Sequence, residues 1–574
     1  MQPTTRMKSS TNWMTLRFYL RRFGPVAAIY VLVTLGTDAF FMADTADYVR
    51  SIVARIEGRY DSFWEFGHLF WRPLGWLSFQ ALKGLLAGFG MTTRVGVIWT
   101  LLALNWIAGL ICVLALRALF ASLRERAWVN DLVTVAFIFA QGFLNNVQIG
   151  SSYIPGLACL MVGMYLLLRR PDSNSRFTLT SALAGVMFGC AICFWFLYLW
   201  AIPAALLSPL LLWGFKQTRL RQVAVAPLTC TLFVGVAYLL VLGLLGIHTV
   251  AGVREWIASA SHGNDTKGLT RMVFGLARSF INMGNDGMLF KRFLIGDVYN
   301  PVSLWTLLQL SLWKLALFYL CLLTLVVTLL RSLGGRRTLA LLAFGSLPIV
   351  CFAILFDGGA VERYLPLYPF VFVALAYGLC SDRLWKPANY VMLAFIVAAT
   401  ATNLIAMSKW ALSRQQDAVV ARTAELEPRL KPQSKVFTVT WLDELVNFNR
   451  SFPFHPINVR SNLLVNSLVT PGTTQVEHWR EEFAKQTLTI WRNGGDVWVS
   501  KQVLWERPPS TLNWVEGDDK RISWKDFPAF FSRLELTTPT GNEDGFLLVP
   551  PSPPNQQILE EAQAKTKKLI TRTG

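Results

Sequence analysis

Eleven apolar runs constrain this chain more than any other feature. They cover residues 25–42, 95–119, 131–149, 153–168, 177–194, 197–214, 222–247, 303–330, 338–356, 364–380 and 388–407. Each approaches the roughly 20 residues that a helix needs to cross the hydrocarbon. Lipid offers no water to bare N–H and C=O groups, so runs of this kind must satisfy their backbones internally, as helices. With 53% hydrophobic and only 16% charged residues, and a mean hydropathy of +0.41, an ordinary soluble globule is excluded. The expected fold is mainly α: a polytopic membrane protein of about 11 transmembrane helices.

The net charge of +19 raises the question of nucleic acid, and its distribution answers it. Residues 1–408 carry 33 Lys+Arg against 16 Asp+Glu, whereas from Lys409 onward the balance is 21 against 19. The excess sits in short loops such as LLLRRPDSNSR and GFKQTRLRQ. Basic short loops mark the cytoplasmic side of a membrane protein, not a phosphate-binding face, and no nucleic-acid partner is expected.

One segment decides the topology. If 71–90 (WRPLGWLSFQALKGLLAGFG) crossed the bilayer, Arg117, Arg124 and Arg126 would face outward together with three later basic clusters. If it lies along the surface or re-enters, all of them face the cytoplasm. The second arrangement obeys the charge bias. It makes residues 1–22 a cytoplasmic N-terminus and 23–407 the transmembrane domain, with outer loops at 43–94 and 248–302. Residues 408–574 are then extracytoplasmic. There the spans stop, the charges balance, and KVFTVTW and DVWVSKQVL read as strands beside the amphipathic EHWREEFAKQTLTIWRNG. A small α/β domain with a polar C-terminal tail is expected.

All eight cysteines fall within apolar runs. This leaves no disulfide framework and no cysteine-based metal site.

Chemistry gathers in Gly36–Gly75, GTDAFFMADTADYVRSIVARIEGRYDSFWEFGHLFWRPLG. Asp44 ends the first span, with Asp47 one turn on. A carboxylate there can take the proton of an attacking hydroxyl, a role worth on the order of 10² to 10⁴ in rate. Glu65, His68 and Arg72 are spaced i, i+3 and i+7, the spacing of one helix side. His68 has no second histidine at ligand spacing, so hydrogen bonding is expected of it and not metal binding. Further on, Glu362–Arg363 stands at the mouth of a late span. A guanidinium there offers forked donors to a phosphate oxygen. Asn145, Asn146, Gln148 and Tyr153 read as a polar outer turn, either offering hydrogen bonds to sugar hydroxyls or, the favoured reading, simply solvated. The domain's tryptophans, among them Trp498, Trp505, Trp514 and Trp524, read mainly as core.

Asp44-x-x-x-Tyr48 followed by the aromatic-rich His68-x-x-x-Arg72-Pro73-Leu74 resembles the first outer loop of GT-C superfamily glycosyltransferases. Arg363-Tyr364-Leu365-Pro366-Leu367-Tyr368-Pro369 is similar to the Arg-Tyr-x-x-Pro stretch of the protein O-mannosyltransferase and lipid A aminoarabinose transferase branch. Phe89-Gly90 with Arg94 also matches that group, while Arg72-Pro73-Leu74 lacks its second proline and tyrosine.

The resemblance implies a bacterial inner-membrane enzyme that moves a sugar from a polyprenyl-phosphate donor to an extracytoplasmic acceptor by single displacement. On that reading Asp44 is the base, with Asp47 sharing the role, and Arg72 and Arg363 bind the donor phosphate. Tyr48, Glu65, His68, Glu362 and Tyr364 contact substrate. No residue cluster demands a metal, though the superfamily includes both metal-free and divalent-cation enzymes. The competing readings are an O-antigen ligase or polymerase, favoured by a large Arg- and His-rich outer loop, and a transporter, favoured by polar groups at mid-membrane.

Overall fold

The computed structural model describes residues 8–38, 44–58, 63–123, 126–169, 174–260, 268–284, 288–380, 386–408, 426, 429–431, 433–440, 465–469, 478–510, 512, 514–517, 520–538 and 545–573. Among these, six helices are long and apolar enough to cross a membrane: Thr93–Leu123, Phe196–Trp213, Arg219–Leu245, Leu304–Leu330, Leu333–Leu355 and Pro387–Met407. Helices Ala127–Ile138 and Gln141–Val147, bent by 61° at their junction, make a seventh if taken as one broken span. Arg22–Gly36, Tyr153–Leu168 and Thr178–Phe194 are apolar but shorter. The chain is an integral membrane protein.

The chain divides into two compact units, the first made of Met1–His262, Thr266–Asn282 and Trp313–Lys409. Its centre is Tyr153–Leu168, which packs against Thr93–Leu123, Asn174–Phe194 and Ile202–Trp213. Nearly every side chain from Gln141 to Leu168 is buried. That burial corrects the expectation of a solvated turn at 145–148. Gln148 donates to the Thr34 carbonyl at 2.8 Å and to Thr37 Oγ1 at 3.0 Å, and Asn146 donates to the Gly142 carbonyl at 2.7 Å. A buried amide without partners costs about 1–3 kcal/mol; Gln148 meets that cost by tying its turn to the first helix, whereas the Asn146 bond stays within its own helix.

Segment 71–90 forms one helix, Trp71–Gly88, that buries Trp71, Arg72, Gly75 and Phe79 and leaves Leu77, Leu82 and Leu85 bare on its other side. Glu65, His68 and Arg72 do not share a helix as their spacing predicts. Glu65 is extended (φ −101°, ψ 135°) ahead of a 3-10 turn at Phe66–His68, and Arg72 lies in the helix that follows.

The turn carrying Glu362 and Arg363 is held from behind. Helix Leu269–Phe280 approaches it so closely that a Cβ on Gly275 would meet the Gly358 carbonyl oxygen. The Tyr364 hydroxyl lies 2.6 Å from that oxygen and 3.1 Å from the Met272 carbonyl. Asp357 sits in the left-handed region (φ 46°), where a side chain without β-branching is tolerated at a cost of order 1–3 kcal/mol.

The second unit comprises Gly263–Asp265, Met283–Leu312 and Trp410–Gly574. It therefore takes in the later part of the segment that the sequence reads as one loop, 248–302. Its sheet contains β1 (Lys435–Thr440), β2 (Val465–Val469), β3 (Val497–Ser500) and β4 (Phe546–Val549) in the order β2-β1-β3-β4. β1 runs parallel to β2 and β3, and β4 is antiparallel to β3. Helix Trp479–Arg492 buries Trp479, Phe483 and Leu488 in a core shared with Trp514, Trp524, Phe530 and Phe531. Among the described tryptophans of the unit, Trp479, Trp498, Trp514 and Trp524 are buried packing residues, while Trp305 and Trp505 are exposed; Trp441 lies outside the described residues. Arg292 meets Asp297 at 3.4 Å and donates to the Leu512 carbonyl at 3.1 Å.

Candidate active site

The site belongs to the first unit and is built from four segments. Asp44 precedes helix Thr45–Ile56 and stands at its N-cap, but its carboxylate makes no capping bond (φ −76°, ψ 7°). The side chain instead accepts a hydrogen bond from the Tyr153 hydroxyl. The backbone explains how residues 109 apart meet. The Gly150 N–H donates to Thr45 Oγ1 at 3.2 Å, and the Gly150 carbonyl accepts from the Trp71 indole at 2.9 Å. A Cβ at Gly150 would lie 2.8 Å from Leu101 and 3.1 Å from Thr45. Glycine there lets the first turn of one helix sit against the start of another. Tyr153 is held in turn by the Tyr198 hydroxyl, which donates to its carbonyl at 2.7 Å. The Trp195 ring lies 4.5 Å away.

Behind Asp44 lies a buried layer. Arg72 and Glu65 form an ion pair at 2.8 Å with side-chain exposures of 6% and 9%, and the Arg72 guanidinium lies 5.4 Å over the Tyr48 ring. Tyr48 is edge-on to His68 at 5.5 Å. His68 Nδ1 is 2.6 Å from Ser152 Oγ and 3.3 Å from the Phe194 carbonyl. Burial lowers the His68 pKa, against the pull of Glu65 and Asp44. The ring is neutral at physiological pH.

On the opposing turn, the Arg363 guanidinium lies 5.0 Å from the Phe356 ring and 5.8 Å from the Trp195 ring. Its Nε has no hydrogen-bond partner among the described residues, and neither does the enclosed Glu362 Oε2. Glu362 is pushed up to about 7, first by burial, with Arg363 opposing and Asp357 and Asp44 reinforcing the shift. Tyr153 senses Asp44, Tyr48, Glu362 and Arg363 alike, which brings the early acidic motif and the late Glu-Arg motif into one electrostatic neighbourhood.

The structure thus brings Asp44, Glu362 and Arg363 to Tyr153, with Tyr48, Glu65, His68 and Arg72 packed behind. Two expectations need correction. Asp47 points out, with its side chain about half exposed, and pairs with Arg50 at 3.3 Å. One turn on a helix separates it from Asp44 but aims it elsewhere. Tyr364 is fully buried and its hydroxyl is engaged by backbone, so it braces the turn. The tyrosine that meets Asp44 is Tyr153. Among the described residues no three His, Cys, Asp or Glu side chains converge as a metal-binding group.

No protein-family model matches the chain, and no curated protein matches it by sequence. Solved structures do. The crystal structure of ArnT from Cupriavidus metallidurans bound to undecaprenyl phosphate superposes with a TM-score of 0.51 at 13% identity, over 95% of this chain and 99% of that one. ArnT is a glycosyltransferase of the GT-C fold. This chain has the GT-C fold. The oligosaccharyltransferase AglB from Archaeoglobus fulgidus, in complex with an inhibitory peptide and a dolichol-phosphate, is also similar (TM-score 0.41, 11% identity, 85% of this chain and 70% of that one). Within this GT-C fold, Asp44, Glu362 and Arg363 come into the electrostatic neighbourhood of Tyr153.

Proposed function

We propose that the protein is a membrane glycosyltransferase that moves a sugar from a polyprenyl-phosphate donor to an extracytoplasmic acceptor hydroxyl. The observation that carries this reading is the Asp44 carboxylate, left free of its own helix cap and held by Tyr153, which also senses Glu362 and Arg363. The GT-C fold shared with ArnT, which is bound to undecaprenyl phosphate in its crystal structure, supports a lipid-phosphate donor.

In this reading Asp44 takes the acceptor proton as the acceptor oxygen attacks the anomeric carbon, while Tyr153 fixes the carboxylate's orientation. Arg363, beside the Phe356 and Trp195 rings, offers its N–H groups to the phosphate. Charge builds on the leaving phosphate as the glycosidic bond breaks, and a prepositioned cation lowers that barrier. Arg72 is already committed to Glu65 and the Tyr48 ring. Its part, and that of His68, is to hold the layer behind Asp44. The basic loops place the N-terminus in the cytoplasm and this mouth on the outer side.

The test is sugar transfer by purified protein in detergent, with polyprenyl-phosphate sugars as donors. Asp44→Asn should yield a folded, inserted protein whose transfer falls by on the order of 10² or more. Unchanged transfer by Asp44→Asn would remove Asp44 from the mechanism.

A further inference from the structure

We propose that Glu362 is the acid of the reaction: its carboxyl donates a proton to the departing polyprenyl-phosphate oxygen, opposite the Asp44 base. This rests on the glycosyl-transfer reading above.

The geometry comes first. Glu362 directly precedes Arg363, the cation assigned to the phosphate, so the two side chains serve the same turn. The Oε2 atom is enclosed and has no partner among the described residues. An orphaned carboxyl oxygen in an enclosed place is costly unless a ligand satisfies it. An ion pair with Arg363 would have been the ordinary use of this carboxyl, but the Arg363 guanidinium is turned to the Phe356 and Trp195 rings. Both groups are therefore available to meet the same phosphate.

The electrostatic surroundings favour the protonated form. The turn Val361–Leu367 is packed by Gln141–Val147, Tyr153–Leu168, Phe196–Trp200, Leu269–Phe280, Leu333–Leu355 and Tyr368–Leu379. Gln141–Val147 brings no titratable group. The others bring Tyr153, Cys159, Tyr165, Tyr198, Tyr368, Tyr377, Cys351, Arg271 and Arg278, while Arg336 and Arg337 lie at the remote start of Leu333–Leu355. Arg278 acts on Tyr364. The charges felt at Glu362 itself are Arg363, which favours ionisation, and Asp357 and Asp44, which oppose it. Burial is the largest influence, and the carboxyl titrates at about 7. The dianion of a phosphate monoester takes up a proton at a pKa of about 6, so donor and acceptor are closely matched and the acid titrates near the operating pH.

The step balances. The acceptor oxygen bonds to the anomeric carbon, and the bond from that carbon to the phosphate oxygen breaks, its electron pair leaving with the phosphate. The acceptor proton goes to Asp44 and the Glu362 proton goes to the phosphate, which departs as its monoanion. Asp44 then returns a proton to Glu362 through solvent, and no other reactant is consumed.

The experiment is the pH dependence of kcat for sugar transfer by wild type, Glu362→Gln and Glu362→Asp, with infrared difference spectra of the same samples. Wild-type kcat should fall as pH rises through about 7, because the acid is lost there. Glu362→Gln should lower kcat by roughly 10²-fold and abolish that alkaline limb, with donor KM little changed. Glu362→Asp should restore part of kcat. A protonated-carboxyl band should vanish from wild type over the same pH range and be absent in Glu362→Gln. A Glu362→Gln enzyme with wild-type kcat and an intact alkaline limb overturns the proposal, as does a wild-type spectrum without the band. Wild-type protein that transfers nothing from any polyprenyl-phosphate sugar overturns the underlying reading instead.

Discussion

At the scale of single residues, what decides a side chain's role here is whether its polar atoms are already taken. Arg72 and Arg363 are both arginines beside aromatic rings, but the Arg72 guanidinium is held in an ion pair by Glu65 at 2.8 Å, whereas the Arg363 guanidinium lies by the Phe356 and Trp195 rings with no ion pair among the described residues. Hydrogen bonds to charged groups contribute about 1.5–3 kcal/mol, so Arg363→Lys, which keeps charge but loses the fork, should reduce kcat/KM for transfer by roughly 10- to 150-fold. Glu65→Ala should act on stability instead. Removing one partner of a buried pair costs about 3–5 kcal/mol, while replacing both by apolar groups can be neutral. Thermal unfolding in detergent should therefore show a lower midpoint for Glu65→Ala than for the double variant Glu65→Leu, Arg72→Met. The sequence marked Asp44, Glu362 and Arg363 because each stands at the end of an apolar run. It could not mark Tyr153 as the partner of Asp44, because a contact between residues 109 apart leaves no spacing to read.

At the scale of elements, close backbone approach sets the geometry. Helix Thr45–Ile56 reaches the start of Tyr153–Leu168 only because Gly150 carries no side chain. Gly150→Ala should force these elements apart, with an overpacking cost of typically about 1–3 kcal/mol. Its sharper signature is a fall in kcat with donor KM nearly unchanged, since Asp44 moves and Arg363 does not. Gly235, where an added methyl would meet nothing within 4 Å, gives the control: Gly235→Ala should leave both unfolding and transfer unaltered. Helices were legible from length and hydropathy, as at Thr93–Leu123 and Leu333–Leu355. Breaks were not. The run at 131–149 bends by 61°, and Glu65 and Arg72 lie on either side of a helix start yet meet through it. Tertiary packing decides such breaks, and local periodicity does not carry them.

At the scale of the whole molecule, the fold explains why ionisable groups gather where they do. Charge inside the hydrocarbon is expensive, so acid, base and cation collect at helix ends and in the turns between them, and the apolar runs supply the frame. That frame is shared with ArnT at 13% identity, which is how a fold can persist when few residues do. The central claim is that the turn at Arg363 receives a lipid-borne phosphate. Native mass spectrometry of the detergent-released protein with undecaprenyl phosphate tests it most directly. Wild type should retain one undecaprenyl phosphate and Arg363→Ala should lose it while still holding ordinary phospholipid. Equal retention by both proteins, or none by wild type, would contradict the account.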